Sequence, residues 1–300
     1  MLFKLAMARK TWNLKFKSIQ AETAFRISKI QGRKIDAGRY FFQSLIFSLV
    51  LVAKVAHGGP LESLMSRAVD LYQPVAQSVG QTFEIRVTDD AHESASAGFE
   101  GTLAYVEVPK RVLENPRLGA DAFAIILCHE IGHLYGGSPR KSQSFEGTLP
   151  VAKDGFTFST SEGQSDYFAT AVCFRRLALD QPALVSLQSA PEVPAVVQAQ
   201  CRSSWPTSAK SRRFCERAAV ASFQFLRLSF AFPISFETPD LSVAPRLVRD
   251  SYPSRQCRLD TLFRGALCPD EMPLKLDFWN SNFNDCRTHT YAQRPACWYQ

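Results

Sequence analysis

The chain has 300 residues, of which 46% are hydrophobic and 21% are charged, so it is long enough to form one large or two small domains. Its formal net charge of +7 suggests an anionic partner, but residues 1–58 contain 11 Lys/Arg against 2 Asp/Glu. Residues 59–300 contain 24 basic and 26 acidic residues, so we expect no nucleic-acid partner for this part of the chain.

The first 58 residues resemble a targeting segment. A basic stretch at 32–39 is followed by an apolar run at 41–53 and then by small residues at 56–58, which is the order of a secretory signal. The run is short and interrupted by polar residues, which disfavours a membrane-spanning helix. We predict an exported protein, periplasmic or extracellular. The basic segment before the apolar run is long for a signal, and we attribute its length to a start codon assigned too far upstream. Two alternatives stay open: a basic presequence, or an uncleaved membrane anchor over residues 41–56.

Eight cysteines all follow the leader, and none form C-x-x-C pairs. An even number concentrated toward the C-terminus favours disulfides over a structural zinc site, although connectivity cannot be deduced from spacing. We predict that near neighbours pair, as 201–215, 257–268 and 286–297. A fourth bond, 128–173, would join the two helices that carry the candidate site residues described below. Buried free thiols are the alternative for Cys128 and Cys173.

The first predicted elements alternate between helix and strand. Apolar residues at helical spacing predict an amphipathic helix over 61–80. Period-two alternation predicts strands at 82–90 and 101–109, separated by a small-residue linker. A strongly apolar helix follows at 118–137, with Asp121 as its predicted N-cap and two glycines at its end.

The second half of the chain begins with a polar loop at 138–160 and a helix that starts at Ser161. Ser161 and Gln164 match a capping box, which places Glu162 in the first helical turn. Residues 182–201 are predicted to be irregular to helical, and a phenylalanine-rich helix spans 208–232. From Pro233 onward the sequence is rich in proline, cysteine and aromatic residues, with few long periodic segments.

The sequence HEIGH at 129–133 lies inside the apolar helix. His129 and His133 are four residues apart, so both imidazoles project from one helix face and can bind one Zn²⁺. Glu130 is positioned to act as general base toward a metal-bound water. The alternative, structural histidines in the core, is disfavoured because burying two histidines and a glutamate without partners is costly.

Two histidines leave a catalytic zinc site one protein ligand short. The segment SEGQSD supplies Glu162 as the candidate third ligand. Asp166 lies one turn further on the same face, where it can accept a hydrogen bond from a ligand imidazole and fix its tautomer. The alternatives are that Glu162 is placed at the helix N-terminus for the helix dipole and that Asp166 is a surface acid.

HEIGH followed by E-x-x-x-D resembles the gluzincin peptidases, and in particular the family of CAAX prenyl proteases, HtpX heat-shock proteases and their soluble periplasmic relatives. The similarity extends over roughly residues 60–180. It implies an α+β, zincin-like fold, mainly helical, with a small sheet whose edge strand borders the cleft. Residues 101–109 would be that edge strand. We expect a catalytic core at 59–200 and a helical, disulfide-rich part at 201–300 that packs on it.

A weaker match concerns the oxyanion-stabilising residues. Many members of this family have a His-Pro pair with an arginine six residues after the histidine. This sequence has Tyr252-Pro253 and Arg258 at that spacing. A phenol can donate a hydrogen bond to an oxyanion, so Tyr252 and Arg258 are candidate catalytic residues. A surface-loop tyrosine is the alternative for Tyr252, and His289 is an alternative oxyanion donor.

These residues together predict an exported zinc metalloendopeptidase that cleaves peptides or unfolded proteins. Zn²⁺ held by His129, His133 and Glu162 would activate a water molecule, with Glu130 as general base. Two alternatives belong to other classes. One is a non-catalytic, chaperone-like binding protein stabilised by zinc and disulfides, and the other is an amide hydrolase acting on non-protein envelope substrates. The sequence does not indicate an oligomeric state, and any membrane contact would involve the N-terminal segment.

Overall fold

The computed structural model describes residues 59–89, 94–142, 156–178, 192–229, 233–269, 280 and 285–300. All of them belong to one compact unit, Gly58–Gln300. The predicted signal or anchor segment therefore lies outside the described residues. Within this unit the predicted division at residue 200 stays a prediction.

The first helix and a three-stranded sheet form one side of the unit. Helix α1 (Pro60–Ser78) begins with proline at its first turn and buries Leu64, Ala68 and Tyr72, which are spaced by four residues. Three strands follow in the sequence: β1 (Thr82–Thr88), β2 (Ser96–Glu100) and β3 (Leu103–Pro109). Their order in the sheet is β1-β3-β2, with β1 parallel and β2 antiparallel to β3.

The position of β3 corrects one prediction from the sequence. Residues 101–109 were expected to be the edge strand, but β3 is the central strand and buries Ala104, Val106 and Val108. The edge strand on the side of the cleft is β2, which occupies the predicted small-residue linker. It pairs with β3 through a turn at Gly101, whose φ of +59° suits glycine.

The central helix is buried on nearly every side. After a short helix α2 (Lys110–Leu113), α3 (Ala120–Tyr135) buries almost all of its residues, including His129, Glu130 and His133. Gly119 is its N-cap, so the prediction that Asp121 caps the helix was wrong. Asp121 instead accepts two hydrogen bonds from Arg217, at 2.7 and 2.9 Å.

The predicted polar loop contains a two-stranded sheet, β4 (Arg140–Ser142) and β5 (Phe156–Thr160). Helix α4 (Glu162–Phe168) follows at once and continues through a π-helical segment (Ala169–Phe174) into α5 (Arg175–Ala178). Ser161 is the N-cap of α4 as predicted, but its side chain makes no capping bond. The Gln164 amide donates to the Gly136 carbonyl instead, at 3.0 Å.

Three further helices lie in the described ranges of the unit. They are α6 (Ala195–Ser204), α7 (Ala209–Ser229) and α8 (Arg255–Leu267). Helix α8 was not predicted from the sequence. Its first residue follows Ser254, whose hydroxyl accepts a hydrogen bond from the Cys257 amide at 3.1 Å. The chain ends in an irregular tail, residues 285–300, with one turn of 3₁₀ helix at Thr290–Ala292.

All eight cysteines form disulfides. The predicted bonds Cys128–Cys173 and Cys201–Cys215 are confirmed. The other two predicted pairs were wrong, because the bonds are Cys257–Cys297 and Cys268–Cys286. The C-terminal tail folds back along α8, so a cysteine at the start of this helix meets one near the end of the chain.

The fold is thus mixed, mainly helical, with two small sheets and a disulfide-rich C-terminal region. Four disulfides are typical of proteins that fold in an oxidising, exported environment. Among the helices of the described ranges, none combines the length and the apolar character needed to cross a membrane.

Candidate metal centre

Helices α3 and α4 bring two histidines and one carboxylate together. His129 and His133 lie on one face of α3, with their ring centroids 4.7 Å apart. The Nε2 atom of His129 is 3.3 Å from Glu162 Oε2, and that of His133 is 3.4 Å from Glu162 Oε1. The three side chains could hold a metal ion, since their ligand atoms all lie within 4.8 Å of one another.

The close approach of the two helices depends on Gly132. A Cβ atom at this position would lie 2.9 Å from the Ser165 Cα atom and 3.0 Å from its carbonyl oxygen. Since both contacts are with backbone, a side chain here would push α4 away from α3. The glycine between the two histidines therefore sets the distance at which Glu162 can reach them.

The donor set and its burial fit a metal ion. All three residues are buried, and the Oε2 atom of Glu162 makes no hydrogen bond within the described part of the chain. A buried carboxylate oxygen without a donor is costly, and a cation between it and the two Nε2 atoms would satisfy it. Two imidazole nitrogens and one carboxylate oxygen are the ligands of His₂Glu catalytic zinc sites.

The other ring nitrogen of each histidine also lies close to an oxygen atom. The Nδ1 atom of His129 lies 2.8 Å from Asp166 Oδ1. The Nδ1 atom of His133 lies 2.9 Å from the Thr160 carbonyl oxygen and 3.0 Å from Ser165 Oγ. A proton on each Nδ1 would leave both Nε2 atoms as acceptors directed at Glu162, the tautomer that metal ligation requires.

Asp166 is itself held by Arg258. The Nε and Nη2 atoms of Arg258 donate to the two carboxylate oxygens of Asp166, at 2.7 and 2.8 Å. Both side chains are almost completely buried. This bidentate pair fixes the orientation of the Asp166 carboxylate toward His129. The structure therefore gives Arg258 a positioning contact, while its predicted oxyanion role stays a prediction.

Electrostatic interactions set the protonation of the site. Burial opposes the charge on His129, but the Asp166 and Glu162 carboxylates outweigh this effect and raise its pKa to about 9. Burial also acts to raise the pKa of Glu162, yet His133 and His129 bring it well below its ordinary value. Burial likewise opposes ionisation of Asp166, but Arg258 and His129 lower its pKa. In the metal-free protein both carboxyl groups are thus ionised and His129 is protonated at neutral pH, so a metal ion would have to displace the Nε2 proton of His129.

Glu130 lies in the wall of a cleft beside the metal-binding group. It is buried, 9% exposed, and lines the cleft together with His129, Tyr252 and Arg258. Burial raises the pKa of its carboxyl above the ordinary value, against the opposing effect of the two histidines. A higher pKa makes the ionised carboxylate a stronger proton acceptor.

The two remaining candidate residues, Tyr252 and His289, lie in different places relative to the cleft. Tyr252 is 63% exposed and lines the cleft, with the Arg258 guanidinium carbon 5.2 Å from its ring centroid. Burial of part of the ring and the charge of Glu162 raise its pKa to about 12, so the phenol keeps its proton. His289 does not line this cleft, and its Nδ1 atom lies 3.2 Å from the Tyr291 hydroxyl.

Besides the pair of Asp166 with Arg258, three further contacts at this site were not predicted from the sequence. The Nζ atom of Lys141 in β4 donates to Glu162 Oε1, at 2.9 Å. The Thr160 carbonyl and the Ser165 hydroxyl are the partners of His133. Ser165 lies three residues after Glu162, a helical spacing that could have identified it. The Thr160 carbonyl is a backbone group and Lys141 lies in the predicted polar loop, so no comparable sequence pattern identifies either of them.

Comparison with protein-family models, curated proteins and solved structures finds no significant match to this chain. The assignment of a function therefore depends on the residues and their geometry. The resemblance to gluzincin peptidases stays a prediction.

Proposed function

We propose that the protein is an exported zinc metalloendopeptidase of the gluzincin type. One observation supports this proposal above all others. One ligand atom from each of His129, His133 and Glu162 lies within 4.8 Å of the other two, and Glu130 lies beside this group in the wall of a cleft. A general base next to such a ligand group is required for hydrolysis but not for a structural metal site.

Zinc is the metal that best suits these ligands. Two imidazoles and one carboxylate are borderline donors that zinc binds in hydrolytic sites, whereas magnesium and calcium prefer oxygen ligands alone. When bound by His129, His133 and Glu162, zinc would supply a Lewis acid that polarises a carbonyl group and lowers the pKa of a water molecule.

The side chains around the ligands would then perform the proton transfers. Glu130 accepts a proton from the attacking water and donates it to the amine of the leaving group as the peptide bond breaks. Asp166 holds the Nδ1 proton of His129, and Arg258 holds Asp166. The protonated phenol of Tyr252 is the proposed hydrogen-bond donor to the oxyanion.

The cleft favours peptides over a small closed-pocket substrate. Its volume is about 1000 Å³, and Ser94 and Ala95, which lead into the edge strand β2, line it. An edge strand offers free main-chain groups that can pair with an extended peptide. The succession of a helix, a small sheet, the HEIGH helix and the Glu162 helix also supports a zincin-like fold.

Two rival functions are less well supported. A protein that uses zinc only as a scaffold has no need for a buried glutamate with a raised pKa in a cleft. An amide hydrolase for non-protein envelope substrates would share the metal site, but the open strand edge favours a polypeptide.

The decisive experiment compares the wild type with Glu130→Gln. We expect the wild type to hold one zinc ion per chain and to cleave an unfolded protein substrate in a chelator-sensitive manner. Glu130→Gln should retain zinc and lose at least about 100-fold in cleavage rate, because it lacks the general base. Zinc content by elemental analysis and cleavage of unfolded casein are the two measurements.

Glu114→Gln is the matched control, because Glu114 is exposed and does not line the cleft. It should match the wild type in both assays. Cleavage by Glu130→Gln at the wild-type rate would refute the proposed mechanism. A zinc-loaded wild type that cleaves no peptide bond would instead favour the scaffold function.

A further inference from the structure

The walls of the cleft combine apolar and basic side chains. Val112, Leu118 and Ile126 line it, as do Phe225 and Leu228. The polar lining is dominated by one residue type, since four arginines line the same cleft: Arg111, Arg117, Arg255 and Arg258. Glu130 is the only carboxylate among the described residues of this lining.

This excess of positive charge is not a property of residues 59–300 as a whole. Residues 59–300 contain 26 acidic and 24 basic residues, so this part of the chain is slightly acidic as a whole. The charge of Arg258 is balanced from behind by Asp166. The other three arginines lie on two segments of the wall, 111–118 and 252–255. Among the described lining residues there are thus four arginines and one glutamate, so a substrate in the cleft meets more positive than negative charge.

Neighbouring carboxylates do not enter the lining. Glu114 lies between Arg111 and Arg117 in the sequence, but its side chain does not line the cleft. Asp240 is close to the second wall segment, where it accepts a hydrogen bond from Ser254 Oγ at 2.6 Å. Its other oxygen accepts from the Ser242 amide at 3.0 Å, so its charge is directed at these donors.

Arginine is well suited to recognise carboxylates in such a place. Its planar guanidinium can bind both oxygens of a carboxylate, and its weak hydration lowers the cost of leaving water. Low-dielectric walls concentrate the field of the charges in a cleft and raise the local concentration of anions. Arg117 is exposed and forms no ion pair with any other described residue, so it is the best placed of the three.

We propose that the preferred substrates are acidic peptides, which place one or more carboxylates beside the bond to be cleaved. This inference rests on the proposed peptidase function, since it assigns the same cleft a substrate class. The carboxylates can come from Asp and Glu side chains or from the C-terminus of a peptide. In either case Arg111, Arg117 and Arg255 would bind them, while the apolar lining contacts neighbouring side chains.

The test uses three quenched fluorescent peptides of equal length. The first has two internal aspartates and an amidated C-terminus, the second replaces both aspartates with asparagine, and the third is the asparagine peptide with a free C-terminus. The affinity for each peptide is measured by competition binding to the zinc-loaded Glu130→Gln variant. Cleavage of each peptide is measured with the zinc-loaded wild type. The variants are Arg117→Gln and Arg111→Gln/Arg117→Gln, with Arg202→Gln on α6 as the matched control.

We expect the aspartate peptide to bind about tenfold more tightly than the asparagine peptide at low salt, as two arginine–carboxylate pairs at a partly exposed site would give. The double variant should reduce this ratio to about twofold, whereas Arg202→Gln should leave it unchanged. Raising the ionic strength to 0.5 M should also reduce the ratio, because salt screens these charges. A preference for the free C-terminus over internal aspartates would assign the terminal carboxylate as the group that is recognised.

Failure of the inference and failure of the proposed function give different results. Equal affinity for all three peptides, with cleavage of all three, would overturn the acidic preference and leave the peptidase function intact. A tenfold ratio that Arg111→Gln/Arg117→Gln does not change would also overturn it. Absence of cleavage of every peptide would refute the peptidase function, while the affinity ratio would still decide whether the cleft binds carboxylates.

Discussion

The two regions that meet at the metal centre contribute in different ways. Helices α3 and α4 supply every candidate ligand: His129, His133 and Glu162. The C-terminal region, residues 233–269 and 285–300, supplies no ligand but holds the ligand helix in place. Arg258 from α8 binds Asp166, and Trp298 from the tail packs against Gly163. The comparison shows that the candidate ligands come from one region, while part of their orientation depends on the other.

The contacts of the tail with α4 are extensive. The Tyr167 hydroxyl donates to the Ala292 carbonyl at 2.5 Å and accepts from the Cys286 amide at 3.1 Å. Two disulfides, Cys257–Cys297 and Cys268–Cys286, join the tail to α8 and its C-terminal end. Helix α4 is therefore held between α3 on one side and a cross-linked C-terminal region on the other. Changes in the two regions should weaken metal binding by different routes.

The largest effect is expected from the ligand region. Glu162→Ala removes one of three ligands, so zinc affinity should fall by more than about 100-fold, since losing a partner of a ligand already costs 10- to 100-fold. Zinc affinity by competition with a chelator and zinc content after dialysis are the measurements. Glu114→Ala is the control, and one zinc per chain at wild-type affinity in Glu162→Ala would exclude Glu162 as a ligand.

The second effect is expected from the C-terminal region. Arg258→Met removes the bidentate partner of the buried Asp166 carboxylate and leaves it with His129 alone. Breaking a buried ion pair from one side costs about 3–5 kcal/mol in the free energy of unfolding. The variant should also bind zinc more weakly, because Asp166 would lose the orientation that holds the His129 ring. Denaturant unfolding of the metal-free protein and zinc titration measure the two effects separately.

The double variant Arg258→Met/Asp166→Asn distinguishes the causes. It removes both charges, so it should recover part of the unfolding free energy that Arg258→Met loses. It should not recover zinc affinity, because His129 would still lack its carboxylate partner. Additive losses of stability from the two substitutions would show that the pair does not act as a unit.

The ligand region was easier to predict from the sequence than the C-terminal region, for physical reasons. The HEIGH helix is a long apolar run that ends at two glycines, and the strand β3 alternates with period two, so each element can be identified without reference to distant parts of the chain. Strand β2, SAGFE, was missed because alanine and glycine have low strand propensity, and pairing with β3 decides its conformation. Helix α8 was missed because it buries Arg258 and Asp260 among its apolar residues, which obscures an amphipathic pattern.

Within the site, too, some features follow from a local sequence pattern and others depend on packing between distant segments. The three ligands and Asp166 follow from residue types at helical spacing. The contact between Asp166 and Arg258, 92 residues apart, depends on how α8 packs and has no local signal. The pairing of Cys257 with Cys297 likewise requires the tail to return along α8. Neighbouring cysteines were therefore a poor guide in this region, although they were a good one for Cys201 and Cys215.

A smaller effect is expected where the tail meets α4. A Cβ atom at Gly163 would lie 2.4 Å from the Trp298 ring, so Gly163→Ala must displace a fully buried indole. We expect a loss of about 1–3 kcal/mol in the free energy of unfolding, as for other overpacked sites. Zinc affinity should fall less than in Arg258→Met, because Asp166 keeps its partner. Thermal unfolding of the metal-free and zinc-loaded forms measures both.

Gly119→Ala is the matched control for Gly163→Ala. A Cβ atom at Gly119 would meet only Gln224 Oε1, at 3.8 Å, which is ordinary contact. This variant should cost about 0.5–1 kcal/mol, because alanine is a poorer N-cap than glycine, but it involves no steric displacement. Equal losses in the two glycine variants would mean that the Trp298 contact does not constrain α4.

The smallest effect on the folded protein is expected at the exposed edge of the cleft. Tyr252→Phe removes a hydroxyl from a residue that is 63% exposed, so stability should change by less than about 0.5 kcal/mol. Zinc affinity should also be unchanged, since Tyr252 contacts none of the ligands through a hydrogen bond. Cleavage should nevertheless slow by about 100-fold if the phenol donates to the oxyanion, with kcat reduced and KM retained. An unchanged kcat would show that Tyr252 is a surface residue and would leave Arg258, whose side chain also lines the cleft, as the candidate for that role.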